Sequence, residues 1–229
     1  MIETEPWSGL PAIPGGWRVE SIAVVDRMLK LVLPARPDDF LDDPDVLAAN
    51  QTDDYMPYWS YLWPSSVDMA QAVLSAEWGP DRRVLELGCG VGLVGLAALQ
   101  GGYELTFSDH DPVAVQTAVH NARLNGLERR AHGVVLDWRE PTASRWPVII
   151  GCEVTYEARN HSILLALLRS MLEPGGVAWF GDPGRSQAPP FIALARQYGF
   201  AVRILDRQLR PVDVASDGSY TFQLIELTF

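Results

Sequence analysis

The stretch from Val84 to Gly95, VLELGCGVGLVG, constrains the fold more than any other part of the sequence. It starts as a short, mostly apolar run typical of a buried strand, and glycines at positions 88, 90 and 92 follow at once. Glycine lets the backbone turn tightly and approach a ligand closely, and the first N–H groups of a helix after such a turn point at the bound group. The match of Gly90, Gly92 and Gly95 to G-x-G-x-x-G therefore predicts a strand, a turn and a helix that bind a nucleotide-like cofactor.

Two acidic residues narrow the choice of cofactor. Glu86 lies two residues before the first glycine, where a carboxylate would repel a pyrophosphate but suits a ligand that carries an ammonium and a sulfonium. Asp109 follows a second apolar run about 20 residues past the turn, the place expected of a carboxylate that accepts from ribose hydroxyls. Together the patterns resemble motif I and the following acid of class I S-adenosylmethionine (SAM) dependent methyltransferases. A glycine-rich turn without a ligand and a dinucleotide dehydrogenase are the weaker interpretations.

Composition and cysteine content fit one soluble globular domain. The chain has 229 residues, 48% of them hydrophobic, which is enough for a sizeable core. No window approaches 18 uninterrupted apolar residues, and the acidic N-terminus lacks the layout of a secretion signal, so we expect no membrane association and a cytoplasmic location. Cys89 and Cys152 are too few for a disulfide framework or a zinc site, and we expect no metal.

The net charge of −11 argues against a nucleic-acid substrate. Enzymes that act on DNA or RNA usually carry a basic track that neutralises phosphates, whereas arginines here occur as scattered pairs such as Arg82-Arg83 and Arg129-Arg130. The acidity fits a basic partner or a small ligand instead. The sequence gives no indication of the oligomeric state.

Residues 1–56 are predicted to be an N-terminal extension of a main domain at 57–229. Two alternating runs, Trp17–Ile22 and Met28–Leu33, predict a β-hairpin with its turn at Asp26-Arg27. An acidic loop rich in Asp and Pro follows, with a short helix expected over 44–50 and capped by Asp42 or Asp43.

The segment Pro57–Pro64, PYWSYLWP, is the densest aromatic cluster of the chain. Simple core packing and a wall around a flat or cationic ligand are both compatible with it. Ser65 is expected to cap the next helix, over 66–78, whose apolar face would carry Val67, Ala70, Val73 and Leu74.

Strands and helices alternate through the rest of the chain. Strands are expected at 84–87, 104–108, 131–136, 147–152 and 177–181, with helices at 92–100, 112–125, 160–172 and 188–198. This alternation predicts an α/β, Rossmann-like, doubly wound sheet of seven mostly parallel strands with helices on both faces. The last strands, 201–205 and 220–228, are joined without a helix and are predicted to form an antiparallel edge pair. The helix over 160–172 is expected to be terminated by the residues that follow it, Glu173–Gly176.

Each strand of the parallel set ends in an acidic residue, and ligands of open α/β sheets bind beyond these carboxyl ends. We expect the glycine turn and Glu86 to hold the amino-acid end of SAM, Asp109 its ribose, and Asp137 its adenine amino group, with Trp138 packed near the ring. The predicted cofactor-binding residues are Trp63, Glu86, Gly88, Gly90, Gly92, Asp109, His110, Asp137, Trp138 and Cys152.

Five motifs occur in a characteristic order: Tyr58–Pro64, Leu85–Gly95, DHDP at 109–112, EVTY at 153–156 and GDPGR at 181–185. This order resembles that of the seven-β-strand protein lysine methyltransferases of methyltransferase family 16, and most of all the electron-transfer-flavoprotein β-subunit lysine methyltransferases and their bacterial relatives. The resemblance covers roughly residues 57–185. It implies methylation of a protein lysine with SAM as cofactor, S-adenosylhomocysteine as product, and the aromatic segment as a ligand wall.

The resemblance also implies that Glu153, Tyr156 and Trp59 act on the acceptor amine. A lysine must lose its proton before it attacks, and burial among aromatic rings lowers its pKa. The faces of Trp59, Trp63 or Tyr156 would hold the amine and tolerate the product cation. The family usually has Asp where this chain has the longer Glu153, for which we favour orienting the amine over taking its proton. GDPGR is either a tight turn in which Arg185 pairs with Asp182, or part of the site.

Three other functions stay open from the sequence. A methyltransferase acting on a small amine or heteroaromatic would have a similar cofactor site, and a lid formed by residues 17–56 would favour it over a protein substrate. A SAM-binding protein without catalysis would keep the fold alone. A nucleic-acid methyltransferase would need a basic surface and an Asn/Asp-Pro-Pro-Tyr motif where Glu153–Tyr156 stands.

Overall fold

A seven-stranded sheet runs through the centre of the protein, and the computed structural model describes residues 5–216 and 220–229. An N-terminal hairpin and two helices precede the sheet: β1 (Trp17–Val24), β2 (Arg27–Pro34), α1 (Pro44–Asp53) and α2 (Ser65–Leu74). The remaining elements are β3 (Arg83–Leu87), α3 (Leu93–Gln100), β4 (Glu104–Asp109), α4 (Pro112–Leu124), β5 (Ala131–Val135), β6 (Trp146–Cys152), α5 (Ala158–Met171), β7 (Leu172–Asp182), α6 (Ala188–Gln197), β8 (Ala201–Leu205) and β9 (Gln223–Thr228).

The strand order of the sheet is β5-β4-β3-β6-β7-β9-β8. The first five strands in this order are parallel, and β9 runs antiparallel to both of its neighbours. The Rossmann-like, doubly wound sheet with antiparallel C-terminal strands is thus confirmed. Because the order reverses between β3 and β6, the crevice beyond their carboxyl ends is where such a sheet binds ligands.

Helices cover both faces of the sheet, as predicted. Side chains of α2, α3 and α4 pack on one face, and those of α5 and α6 pack on the other. The alternation along β3 reflects this arrangement: Val84 belongs to the first core cluster, and Leu85 and Leu87 belong to the second. Glu86 is the one acidic residue of this buried strand.

The N-terminal hairpin docks on the main core through β2. Leu29 and Leu31 are fully buried in the same cluster as α2 and α3. Two asparagines one turn apart, Asn121 in α4 and Asn125 directly after it, pair with the β2 backbone as a neighbouring strand would. The amide of Asn121 bonds to both the N–H (2.7 Å) and the carbonyl (2.9 Å) of Val32, and the amide of Asn125 bonds likewise to Lys30. The division of the chain at residue 56 stays a prediction.

Four details of the sequence-based assignment were wrong. The hairpin turn lies at Val25-Asp26, because Val24 pairs with Arg27 and Val25 adopts a positive φ of 55°. Helix α2 includes Ser65 as its first residue, has no side-chain cap, ends at Leu74, and turns Val67 to solvent.

The other two differences concern strands. Strand β7 begins at Leu172, which pairs with Trp146 across a register shift, so that residues 173–176 belong to an irregular strand and not to a helix end. Strand β9 begins at Gln223, three residues later than predicted. The expectation about a secretion signal concerns the N-terminus, of which residues 1–4 lie outside the described part of the chain. Within the described ranges, no helix has the length and apolar character needed to cross a bilayer.

The buried Asn121 amide makes the docking of the hairpin testable. Asn121 is fully buried and also donates to the carbonyl of Val91 in the glycine turn at 2.9 Å. We expect Asn121→Ala to lower the free energy of unfolding by about 2–4 kcal/mol, because it leaves three buried backbone groups without a partner. Urea denaturation measures this change. Asn125→Ala is the control, since water reaches its bonds to Lys30, and it should cost less than about 1 kcal/mol; equal losses would contradict the assignment.

Candidate functional site

A cleft of about 660 Å³ opens at the carboxyl edge of the parallel strands. It lies over the ends of β3, β4, β5 and β6, where the fold predicts a ligand site, and its volume is in the range of small-molecule sites. The structure brings together eleven of the predicted site residues along this cleft: Trp59, Trp63, Gly88, Gly90, Asp109, His110, Asp137, Trp138, Cys152, Glu153 and Tyr156. Glu86 and Gly92 are not among the residues that line it.

The glycine turn forms the floor of the cleft next to β3. Gly90 has a φ of +49°, and a Cβ at this position would lie 3.4 Å from the carbonyl oxygen of Trp59. Gly92 has a φ of +89°, and its Cβ would lie 2.8 Å from that of Ala118 in α4. Gly90 is thus favoured by its left-handed backbone, whereas Gly92 also allows the start of α3 to pack closely on α4.

Asp109, at the end of β4, fixes the shape of this turn. Its Oδ2 accepts from the N–H of Gly90 at 3.0 Å, and its Oδ1 accepts from the N–H of Asp111 at 3.0 Å. Burial raises the pKa of the Asp109 carboxyl to about 6, although the two amide hydrogen bonds act in the opposite direction. Each carboxylate oxygen keeps a second lone pair, so Asp109 can accept further bonds from hydroxyl groups in the cleft.

Tyr55, which the sequence interpretation missed, closes the cleft from the side of the N-terminal extension. Its hydroxyl donates to Oδ2 of Asp111, whose Oδ1 caps α4 by accepting from the N–H of Val113 at 2.7 Å. Burial and the neighbouring Asp111 carboxylate raise the pKa of Tyr55 above its usual value. Asp53, Asp54 and Met56 line the cleft beside it. The sequence signal for this segment was weak, a lone tyrosine ahead of the aromatic cluster.

Glu86 lies beneath the glycine turn and not in the cleft. Its carboxyl group faces the N–H of Gly95 in the first turn of α3, and a Cβ on Gly95 would overlap Glu86 Oε2. Burial raises the pKa of this carboxyl well above its usual range, and Oε2 has no hydrogen-bond partner in the described chain. The side chain therefore supports the start of α3, and Gly95 is required by this packing.

Asp137 and Trp138 lie at the other end of the cleft, after β5. The guanidinium of Arg139 binds both carboxylate oxygens of Asp137, with Nη2 2.6 Å from Oδ2, and this contact lowers the pKa of Asp137. The ring of Trp138 lies 3.7 Å from the position of a Cβ on Gly88. His110 is exposed on the rim. An ion-paired carboxylate and an indole thus flank this end.

The aromatic residues of Pro57–Pro64 serve both of the roles expected from the sequence, core packing and a wall of the cleft. Trp59 is buried and packs edge-on against Phe40, with ring centroids 5.5 Å apart, so most of its ring belongs to the core. Tyr58 packs edge-on against both Tyr156 (5.6 Å) and Trp63 (6.1 Å), and these three rings form an aromatic wall of the cleft. Burial raises the pKa of Tyr156, so its hydroxyl stays protonated at neutral pH.

Glu153 is buried between β6 and the wall, and both of its carboxylate oxygens are engaged. Oε1 accepts from the N–H of Ser65 at the start of α2 (3.0 Å), and Oε2 pairs with Nη2 of Arg185 (2.5 Å). The backbone of Glu153 adopts a φ of +53°, an uncommon conformation for a non-glycine residue. Glu153 therefore holds α2 and Arg185 in place from a strained position.

Asp182 organises the turn that carries Arg185. Its Oδ1 accepts from the N–H groups of Gly184 (2.7 Å) and Arg185 (2.9 Å) and from the side-chain amide of Gln223 (3.0 Å). Asp182 is fully buried and binds the Arg185 backbone, so the interpretation in which the two side chains merely pair was wrong. The guanidinium instead points to Glu153.

An ion pair crosses the mouth of the cleft. Arg159, in the first turn of α5, contacts Asp54 just beyond α1 at 2.5 Å and Glu157 at 2.7 Å. This contact and the Tyr55–Asp111 bond attach the end of α1 to both sides of the cleft. The segment 53–56 consequently forms one wall of the site, and the cleft extends from this wall to Arg185.

Comparison with known proteins relates this geometry to a family. A sequence model of the lysine methyltransferase family matches residues 59–187. The electron transfer flavoprotein beta subunit lysine methyltransferase of Xenopus laevis is 31% identical over 137 residues, 57% of this chain and 54% of that protein. The EEF1A lysine methyltransferase 3 of Mus musculus is 32% identical over 111 residues, 46% of this chain and 47% of that protein. The chain thus spans about half the length of these curated relatives.

Solved structures show the same fold at low identity. A TehB-like SAM-dependent methyltransferase from Corynebacterium glutamicum superposes with a TM-score of 0.58 at 17% identity and covers 84% of this chain and 99% of its own. A glycopeptide N-methyltransferase complexed with sinefungin superposes with a TM-score of 0.56 at 17% identity and covers 74% and 95%. These likenesses establish the Rossmann-like methyltransferase fold of the sheet.

The raised pKa of Asp109 predicts how binding of an adenosyl ligand depends on pH. Only the carboxylate form accepts from the two backbone amides and a hydroxyl at once, so S-adenosylhomocysteine should bind more weakly as the pH falls through about 6, by up to about tenfold per pH unit. Calorimetric titrations between pH 5 and pH 8 measure this slope. It should disappear in Asp109→Asn and persist in His110→Asn. The reverse pattern would assign the titration to the histidine.

Proposed function

Because this chain belongs to the lysine methyltransferase family, we propose that it transfers the methyl group of SAM to the side-chain amine of a lysine in a protein substrate. The observation that carries this proposal is the cleft at the carboxyl edge of the sheet, whose glycine turn is held open by Asp109. The relatives named above are methyltransferases for lysines of an electron transfer flavoprotein subunit and of EEF1A. Protein lysine methylation is the chemistry that these names share.

The residues present fit SAM as the cofactor. Gly90 has a left-handed backbone at the floor of the cleft, and Asp109 offers there a carboxylate that has no ion pair with Arg or Lys among the described residues and suits ribose hydroxyls. In this proposal Asp109 holds the ribose, Trp138 packs against the adenine, and the amino-acid end lies over Gly88 and Gly90. Glu86 contributes indirectly, since its carboxyl supports the start of α3.

The chemistry requires placement more than activation by the protein. SAM supplies an already activated methyl group when it is bound. The chain must therefore align the lone pair of the amine and keep that amine neutral. The wall formed by Tyr58, Trp63 and Tyr156 excludes water, which lowers the pKa of a lysine beside it, and the ring faces accommodate the cationic product.

Glu153 is assigned a positioning role in this proposal. Its two oxygens hold the N–H of Ser65 and the guanidinium of Arg185, so the carboxylate is oriented by these two groups. We instead expect the acceptor amine to release its proton to water before it packs against the aromatic wall. Trp59 supports the wall from behind, because most of its ring packs against Phe40.

The charge of the chain supports a basic substrate. The net charge of −11 favours encounter with a positively charged protein surface, where accessible lysines are common. As part of the same proposal we assign the activity to the cytoplasm, since the free thiols of Cys89 and Cys152 are compatible with a reducing compartment.

The proposed function is tested with isotopically labelled SAM. The purified protein is incubated with labelled SAM and a cytosolic extract, and the products are separated into protein, RNA and small-molecule fractions. We expect the label in protein, with mass spectrometry locating the added methyl groups on lysine side chains. Label confined to small molecules would favour the amine or heteroaromatic alternative. Binding of SAM with no labelled product in any fraction would contradict catalysis.

A further inference from the structure

Arg185 differs from the other cationic side chains that line the cleft. Arg139 binds both oxygens of Asp137, and Arg159 is held between two carboxylates, Asp54 and Glu157. Both arginines are mostly exposed. Arg185, in contrast, makes one side-chain hydrogen bond within the described chain, from Nη2 to Glu153. The two Nη atoms of a guanidinium carry four N–H donors, so three of these donors in Arg185 have no partner within the described chain.

The guanidinium of Arg185 is held in a defined orientation. Its Cζ lies 5.8 Å from the centroid of the Trp63 ring, and its Nε is buried without a hydrogen-bond partner among the described residues. About a third of the side chain is exposed (35%), in the cleft that it lines. A buried N–H without an acceptor is unfavourable, and an anion bound to the exposed part of the guanidinium would offset part of that cost.

The surroundings of Arg185 fix this orientation before any ligand arrives. Asp182 holds the backbone of the turn, and Glu153 holds the guanidinium. The Glu153 carboxylate also accepts a hydrogen bond from the N–H of Ser65 at the start of α2, where the helix dipole favours a negative group. The Glu153 carboxylate therefore does not fully satisfy the arginine, which retains attraction for a second anion.

We propose that Arg185 is a carboxylate receptor inside the cleft. A planar guanidinium binds a carboxylate through two parallel hydrogen bonds, a geometry that an ammonium does not provide. In the sheet, β7 follows β6, so Arg185 lies at the end of the cleft opposite Asp137. The carboxylate has two possible sources, the amino-acid part of SAM or an acidic group next to the methylated amine on the acceptor. The inference rests on the proposed function.

The first arm of the test compares SAM with its decarboxylated analogue by calorimetry. If the cofactor supplies the carboxylate, the full-length protein should bind SAM about 10- to 100-fold more tightly than the analogue, the range expected for hydrogen bonds to a charged group. Arg185→Gln should bring this ratio close to one. Arg185→Lys keeps a cation next to Glu153 without the planar guanidinium and should give an intermediate affinity ratio. It serves as the test variant if Arg185→Gln does not fold.

The second arm tests the acceptor as the source. Protein saturated with S-adenosylhomocysteine is titrated with acetate, and binding is followed by ligand-detected NMR. If Arg185 binds a carboxylate of the acceptor, acetate should bind to the protein saturated with S-adenosylhomocysteine and not to the saturated Arg185→Gln variant. The ratio of SAM to analogue affinities should then be unchanged by the substitution.

Arg83→Gln is the matched control for both arms. Arg83 has similar partners outside the cleft: it pairs with Glu173 at 2.9 Å, its Cζ lies 5.3 Å from the Trp146 ring centroid, and it also donates to the carbonyl of Arg145. The control should leave the affinity ratio and acetate binding unchanged. The inference would be overturned if Arg185→Gln left the ratio of SAM to analogue affinities unchanged and also left acetate binding by the loaded protein unchanged or undetectable. Failure of the unaltered protein to bind SAM at all would overturn the proposed function, and the inference with it.

Discussion

The hydrogen bonds of the Asp109 carboxylate are the interaction on which the rest of the site depends. One oxygen holds the N–H of Gly90 and the other holds that of Asp111, so a single side chain at the end of β4 joins the turn after β3 to the start of α4. Asp111 in turn caps α4 and accepts from Tyr55. The pKa of about 6 at Asp109 follows from burial of this carboxylate, which outweighs the opposite effect of its two backbone hydrogen bonds. The turn, the helix and the wall of the cleft are therefore one connected unit.

The N-terminal extension belongs to that unit, although the family match begins at residue 59. Asn121 ties β2 to the glycine turn through Val32 and Val91, and the segment 53–56 reaches the cleft directly. The cleft is thus built both from the part of the chain that matches the family and from the segment that precedes it. The segment 53–56 therefore lies outside the family match, although it lines the same cleft.

The sequence predicted what depends on local patterns and missed what depends on side-chain partners distant in the chain. Apolar runs and turn residues were sufficient for the alternating strands and helices and for the hairpin, and the acids at the strand ends marked the edge that carries the cleft. The pairing of Glu153 with Arg185 joins residues 32 positions apart, and no local pattern encodes it. Glu86 was expected in the cleft because strand alternation does not reveal that its side chain turns under α3. The early start of β7 depends on pairing with Trp146, which is equally non-local.

In the proposed function, the turn at Gly90, with its left-handed backbone, binds the cofactor. The most direct test is calorimetry of SAM binding to Gly90→Val, with Gly126→Val as the matched control. Both glycines have a positive φ, +49° and +70°, but a Cβ on Gly126 would have no neighbour within 4 Å, whereas a Cβ on Gly90 faces the Trp59 carbonyl. We expect Gly90→Val to lose detectable SAM binding and Gly126→Val to retain the affinity of the unaltered protein. Unchanged affinity in folded Gly90→Val would contradict this role of the turn.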